Sequence, residues 1–176
     1  MSIRPLRYLG DPVLRTPSDS VVRFDDALAR LVEDLLDTVQ EPGRAGLAAN
    51  QIGSGLAVFA YYSAGQLGYL INPRIVERSG DSYGPEACLS IPGISALRHR
   101  SVTVTTAGVD LSQEPVVVTG TGEFARVLEH ETDHLHGEFF IDGLDQDERR
   151  RVMRLIGAQL VSGPSAEGTA QPSDLR

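Results

Sequence analysis

Residues 130–134 read His-Glu-Thr-Asp-His, and this pentapeptide constrains the fold more than any other stretch of the chain. A helix is predicted from about residue 123 to 136, with Thr121 as its cap and Gly137 as the left-handed residue that ends it. At about 100° per residue the two imidazoles stand roughly 40° apart on one face. Phe124, Val127, Leu128 and Leu135 share the sector of Glu131. The motif therefore lies on the inward face, where water is restricted and electrostatic effects are amplified.

Two histidines four apart can bind one ion with Glu131 beside it. The helix supplies no third ligand. His136 points elsewhere, and His99, between Arg98 and Arg100, reads as a solvated loop residue. The remaining soft ligand is Cys88, in Pro85-Glu86-Ala87-Cys88-Leu89-Ser90. It is the one cysteine of the chain, so no intramolecular disulfide can form, and a lone cysteine is commonly just a small buried apolar residue. A thiolate with two imidazoles would suit a tetrahedral ion with water in the fourth position.

Around this helix the periodicity changes. Residues 25–40 carry Leu28, Leu31, Val32, Leu35, Leu36 and Val39 at helical spacing, and Pro42-Gly43 ends that helix. Short β-like runs are predicted at 56–62, 67–71, 75–78, 102–106 and 115–119, separated by Gly, Pro, Ser and Asp, which points to hairpins. A third helix is predicted over 145–160, with Asp145 and Glu148 as a capping pair and Val152, Met153, Ile156 and Leu160 as its stripe. Residues 162–176 are rich in Gly, Pro and Ser, and a disordered tail is expected there, leaving one domain over 1–161. The order points to an α+β fold with an antiparallel sheet. The net charge of −8 argues against general nucleic-acid binding. No apolar run is long enough to cross a membrane, and the first residues do not read as a secretory signal, so a cytoplasmic location is expected.

Three segments, 46–51 (Gly-Leu-Ala-Ala-Asn-Gln), 86–90 (Glu-Ala-Cys-Leu-Ser) and 130–134, resemble the three motifs of the peptide deformylases in order and spacing. The resemblance covers roughly residues 3–160. It implies antiparallel sheets packed around a central metal-binding helix, with a C-terminal helix. It implies removal of the formyl group from the N-terminal formyl-methionine of nascent polypeptides. Cys88, His130 and His134 would be ligands of one divalent ion, Fe(II) natively, with Zn(II), Ni(II) or Co(II) able to replace it in the purified protein. Glu131 would move the proton of the attacking water, while the Gln51 amide and the Leu89 N–H would hold the oxyanion. Ala45, Gly46 and Ala87 would lie beside a substrate that adds as a strand.

The chain departs from the family pattern at Arg44 and Ala87, where glycine is usual, and at Glu129, where glutamine is usual. Arg44 is expected to place a cation near the substrate entrance and Ala87 a methyl beside the substrate strand, both altering affinity. Glu129 is expected to be solvated or to stand near the metal. Arg149, Arg150, Arg151 and Arg154 form a basic run, normally a solvated face; relatives that dock on the ribosome through this region add ribosome contact as an expectation. Two other readings are weighed. A zinc endopeptidase would need a third His or Glu downstream, which is not evident. A non-catalytic or changed-substrate binder of N-termini, left open by the three departures, would show loss of metal or unchanged behaviour on Glu131→Gln.

Overall fold

The computed structural model describes residues 2–63 and 65–162. Among them the order is α1 (Asp26–Val39), β1 (Gly46–Ala48), β2 (Val58–Ser63), β3 (Gln66–Ser79), β4 (Ser82–Cys88), β5 (Ile91–Arg100), β6 (Thr103–Val109), β7 (Pro115–Thr121), α2 (Glu123–Leu135) and α3 (Gln146–Ser162). One sheet has the order β1-β2-β3-β6-β7, and β4 and β5 form a separate hairpin. Every pairing between these strands is antiparallel, as the α+β reading requires.

The five-stranded sheet lies between two helices. Strand alternation in β2 sends Val58 and Ala60 to one face, where Leu28, Val32, Leu35 and Val39 of α1 cover them. Phe59 and Tyr61 go to the other, against Phe124, Leu128 and Leu135 of α2. α2 approaches β7 so closely that a Cβ on Gly120 would stand 2.9 Å from the Ala125 nitrogen. The hairpin packs on the far side of α2 from this sheet, in a cluster formed by Cys88, Ile91, Ile94, Phe139, Phe140 and α3 residues Val152 and Ile156. α2 is thus the central helix.

Several boundaries differ from the sequence reading. The runs at 67–71 and 75–78 are one long strand, with Asn72 at φ 52° and a register shift absorbing the Asn-Pro interruption. β1, β4 and β5 were not predicted: β1 is only three residues long, and Gly, Pro and Ser interrupt the apolar alternation of β4 and β5. Thr121 belongs to β7; the cap of α2 is Gly122, whose φ of 56° turns the chain from strand into helix. Gly137 does take the left-handed conformation, at φ 78°. Asp145 accepts from the Glu148 N–H at 2.8 Å. α3 continues to Ser162, and the rest of the expected tail lies outside the described residues. Among the described residues no helix is long and apolar enough to cross a membrane.

Candidate metal centre

α2 and the β4–β5 hairpin meet at three buried side chains. Ligand atoms of Cys88, His130 and His134 all lie within 4.8 Å of one another. Alternation along β4 puts Glu86 and Cys88 on its buried face, while Tyr83, Pro85 and Ala87 face outward. The Cys88 sulfur lies 3.1 Å from His134 Nε2. The Ser90 N–H donates to it at 3.4 Å, and the Gln51 amide nitrogen stands 3.8 Å away. The two imidazoles meet edge to face, 4.8 Å between centroids. Asn50 holds the end of the helix by donating to the His134 carbonyl at 2.5 Å.

Glu86 orients the first histidine. Its carboxylate takes His130 Nδ1 at 2.7 Å, which leaves Nε2 for the ion, and it also receives Arg100 Nε and Nη2 at 2.9 and 2.7 Å and Arg126 Nη1 at 3.0 Å. Burial works to raise the Glu86 pKa, but Arg100 and His130 outweigh it and hold the carboxyl well below the usual range. Burial likewise works to lower the His130 pKa, yet its bonds to Cys88 and Glu86 hold it well above the ordinary value. Metal binding at such a group displaces its proton. Burial and the neighbouring His130 keep His134 well below the usual value, so it is neutral and fit to be a ligand. Asp133 Oδ2 lies 2.8 Å from Arg100 Nη1 but is not aligned as a hydrogen bond, so the contact is an ion pair.

Glu131 is buried beside the histidines, and its Oε2 has no hydrogen-bond partner. Burial pushes its carboxyl up to about 7, against the opposing charge of His130. A group poised there can take and return a proton near neutral pH. Gly46 makes room for it: a Cβ at that position would touch Glu131 Oε1 and stand 2.7 Å from Cγ and Cδ. The contact with Glu131 is by itself enough to require glycine here. The Gln51 amide is held at both ends, accepting from the Ala48 N–H at 2.9 Å and donating to Ser90 Oγ at 3.2 Å.

These groups face one cleft of about 930 Å³. Ala45, Gly46, Gln51, Ala87, Cys88, Leu89, His130 and Glu131 all line it, and the fully buried His134 stands behind the wall. Arg44 lines the cleft too, but its Nη1 is turned onto the Thr38 carbonyl at the end of α1, 2.8 Å away. Glu129 is not solvated, and its partners lie outside the Cys88, His130 and His134 cluster. It is buried on the side of α2 that faces β3, bonded to Arg78 Nε at 2.9 Å and to the Ser101 N–H at 3.0 Å. His99 is solvated as expected, but on β5, paired with Asp81 at 2.9 Å. The roles of Glu86, Ser90, Asn50, Arg100 and Arg126 were missed. One signal was available: Arg126 lies one helical turn before His130 on the predicted helix.

One open-sided Cys-His-His set with a carboxylate beside it is the equipment of a metal-dependent hydrolase. The soft third ligand separates it from endopeptidases with a third His or Glu. The family model described as polypeptide deformylase matches residues 3–150. A peptide deformylase of Acidothermus cellulolyticus is 41% identical over 176 residues, covering 100% of this chain and 98% of that protein. One from Parafrankia sp. is 46% identical over 158 residues, 89% of this chain and 86% of that protein. The crystal structure of peptide deformylase from Thermus thermophilus superposes with a TM-score of 0.84 at 34% identity, covering 91% of this chain and 96% of that one. The chain belongs to the polypeptide deformylase family.

Two substitutions test this geometry. Glu86→Gln removes the charge that orients His130, and metal affinity should fall by about 10–100-fold in a chelator competition. Gly46→Ala forces the Glu131 carboxylate aside, and turnover of a formylated peptide should drop by about 10²-fold with metal content unchanged.

Proposed function

We propose that the residues of this cleft divide the work of deformylation in the following way. As a member of its family the chain removes the N-terminal formyl group of polypeptides, releasing formate and a free amine. Cys88, His130 and His134 hold one divalent cation, and the donor set fits one: a thiolate and two imidazoles, with one imidazole fixed from behind by Glu86. A cation held there would supply Lewis-acid polarisation and bring the pKa of water toward ~7. Fe(II) is the native ion in this reading, with Zn(II), Ni(II) or Co(II) as substitutes, since affinity order alone favours the later metals.

Glu131 takes a proton from the attacking water. Water oxygen bonds to the formyl carbon, the carbon–nitrogen bond breaks, and Glu131 returns the proton to the leaving amine. The Gln51 amide and the Leu89 N–H receive the negative charge that develops on the formyl oxygen. The nascent peptide lies along β1, which ends its sheet and has one edge free of β2. Ala45 and Gly46 flank it on that side and Ala87 on the other. This substrate places the protein in the cytoplasm. Two of the family departures are spent within the fold, Arg44 on α1 and Glu129 on β3, which removes the main ground for a non-catalytic reading.

The observation that carries the assignment is the convergence of the three ligands, Glu131 and Gln51 on one cleft beside a free strand edge. Protein purified without oxygen and loaded with Fe(II) or Ni(II) should release formate from a formyl-Met peptide. Glu131→Gln should lower kcat by about 10²–10⁴ with metal still bound. No turnover at one metal per chain would overturn the assignment. Ribosome contact through α3 is part of the same reading, although Arg149, Arg150 and Arg151 are already paired with Asp142, Asp147 and Glu148. Salt-sensitive co-sedimentation with ribosomes is its check.

A further inference from the structure

Gln51 and Ser90 belong to different halves of the molecule. Gln51 sits in the short helical turn after β1 of the large sheet, and Ser90 in the turn between β4 and β5. Their side chains meet at 3.2 Å, so the direction of the Gln51 amide depends on how the two turns are spaced. Both backbone carbonyls are held by a third segment. The Arg7 N–H donates to the Gln51 carbonyl at 2.7 Å, and the Leu9 N–H donates to the Ser90 carbonyl at 2.9 Å. Through these two bonds a single three-residue stretch ties one turn to the other. The two flanking residues of opposite parity, Leu6 and Tyr8, line the cleft.

The stretch is anchored at both ends. Upstream, the Arg4 N–H donates to Thr38 Oγ1 at 3.0 Å, and Arg4 Nε pairs with Asp34 at 2.9 Å, both on α1. Downstream, the Asp11 N–H closes a turn onto the Tyr8 carbonyl at 3.0 Å, and Leu14 is fully buried in the cluster that includes Cys88 and Phe139. The segment thus joins α1 to the hairpin core and crosses the seam between the two sheets at the proposed oxyanion site.

We infer that residues 6–9 are a positioning strap for the oxyanion donor, setting the Gln51 amide through the N–H groups of Arg7 and Leu9. Arg7 and Leu9 are positioning residues here; neither touches the reacting atoms. The inference rests on Gln51 acting as proposed above. Donor placement matters more in the transition state than in the bound substrate, so loosening the strap lowers kcat and leaves KM nearly unchanged.

Replacing Arg7 by its α-hydroxy analogue, which puts an ester where the amide was, removes this N–H and keeps the side chain. The same exchange at Leu9 gives a second, independent lesion. In the full-length metal-loaded protein each is expected to lower kcat for a formyl-Met peptide by about tenfold, within the ~10²–10³ that loss of an entire oxyanion donor removes. KM should stay within about twofold. In a Gln51→Ala background the same esters should have no further effect, because the group they act through is gone. Unchanged kcat in both ester proteins overturns the strap, and so does an equal loss with and without Gln51. If Gln51→Ala alone leaves kcat intact, the assignment of Gln51 fails, and the strap's catalytic role falls with it. That outcome is read separately from either ester result.

Discussion

A buried carboxylate has to be paired, and at Glu86 the pairing holds the molecule together. Arg100 from β5 grips both oxygens, while Arg126 and His130 come from α2. Removing a partner would leave buried charge less fully compensated. The hairpin is therefore tied to the helix in one register. Because Cys88 lies two residues beyond Glu86, the same register aims its sulfur at the histidines. A slip of one residue would turn both outward. One ion-pair cluster thereby fixes the His130 ring and presents the Cys88 sulfur.

The centre lies at a seam. The five-stranded sheet brings Gly46 and Gln51; the hairpin brings Cys88, Leu89 and Ser90; α2 between them brings the histidines and Glu131. Close approach is what makes the seam narrow. Gly120 lets α2 sit against β7, and Gly46 leaves the space that the Glu131 carboxylate fills. A methyl group at either position would displace the helix or its acid. The segment 6–9 crosses the same seam from outside and bonds to both turns.

Much of this was legible in the residues alone. The three helices, the inward face of residues 130–134 and the antiparallel sheet follow from apolar spacing, and the spacing is short-range. The motif residues 46–51, 86–90 and 130–134 do converge. The hairpin around Cys88 was not legible, since Gly84, Pro85, Pro92 and Gly93 read as turn residues. Its strands are stabilised by packing on α2 and α3, which composition does not display. Thr121 looked like a cap because its hydroxyl suits the role, yet the strand continued through it and Gly122 made the turn.

Periodicity and residue chemistry by themselves determined that a helix would carry two imidazoles and a carboxylate inward, and that Cys88 was the remaining soft ligand. Those properties depend on neighbours within one or two turns of chain. Tertiary structure alone decided where the other charges went. Glu86 went to His130, Glu129 to Arg78 and Ser101, and Arg44 to the end of α1. A charged side chain in the sequence carries no record of its partner. Its burial is tolerable only once a distant element supplies the opposite charge, and that choice is made when the sheets and helices pack.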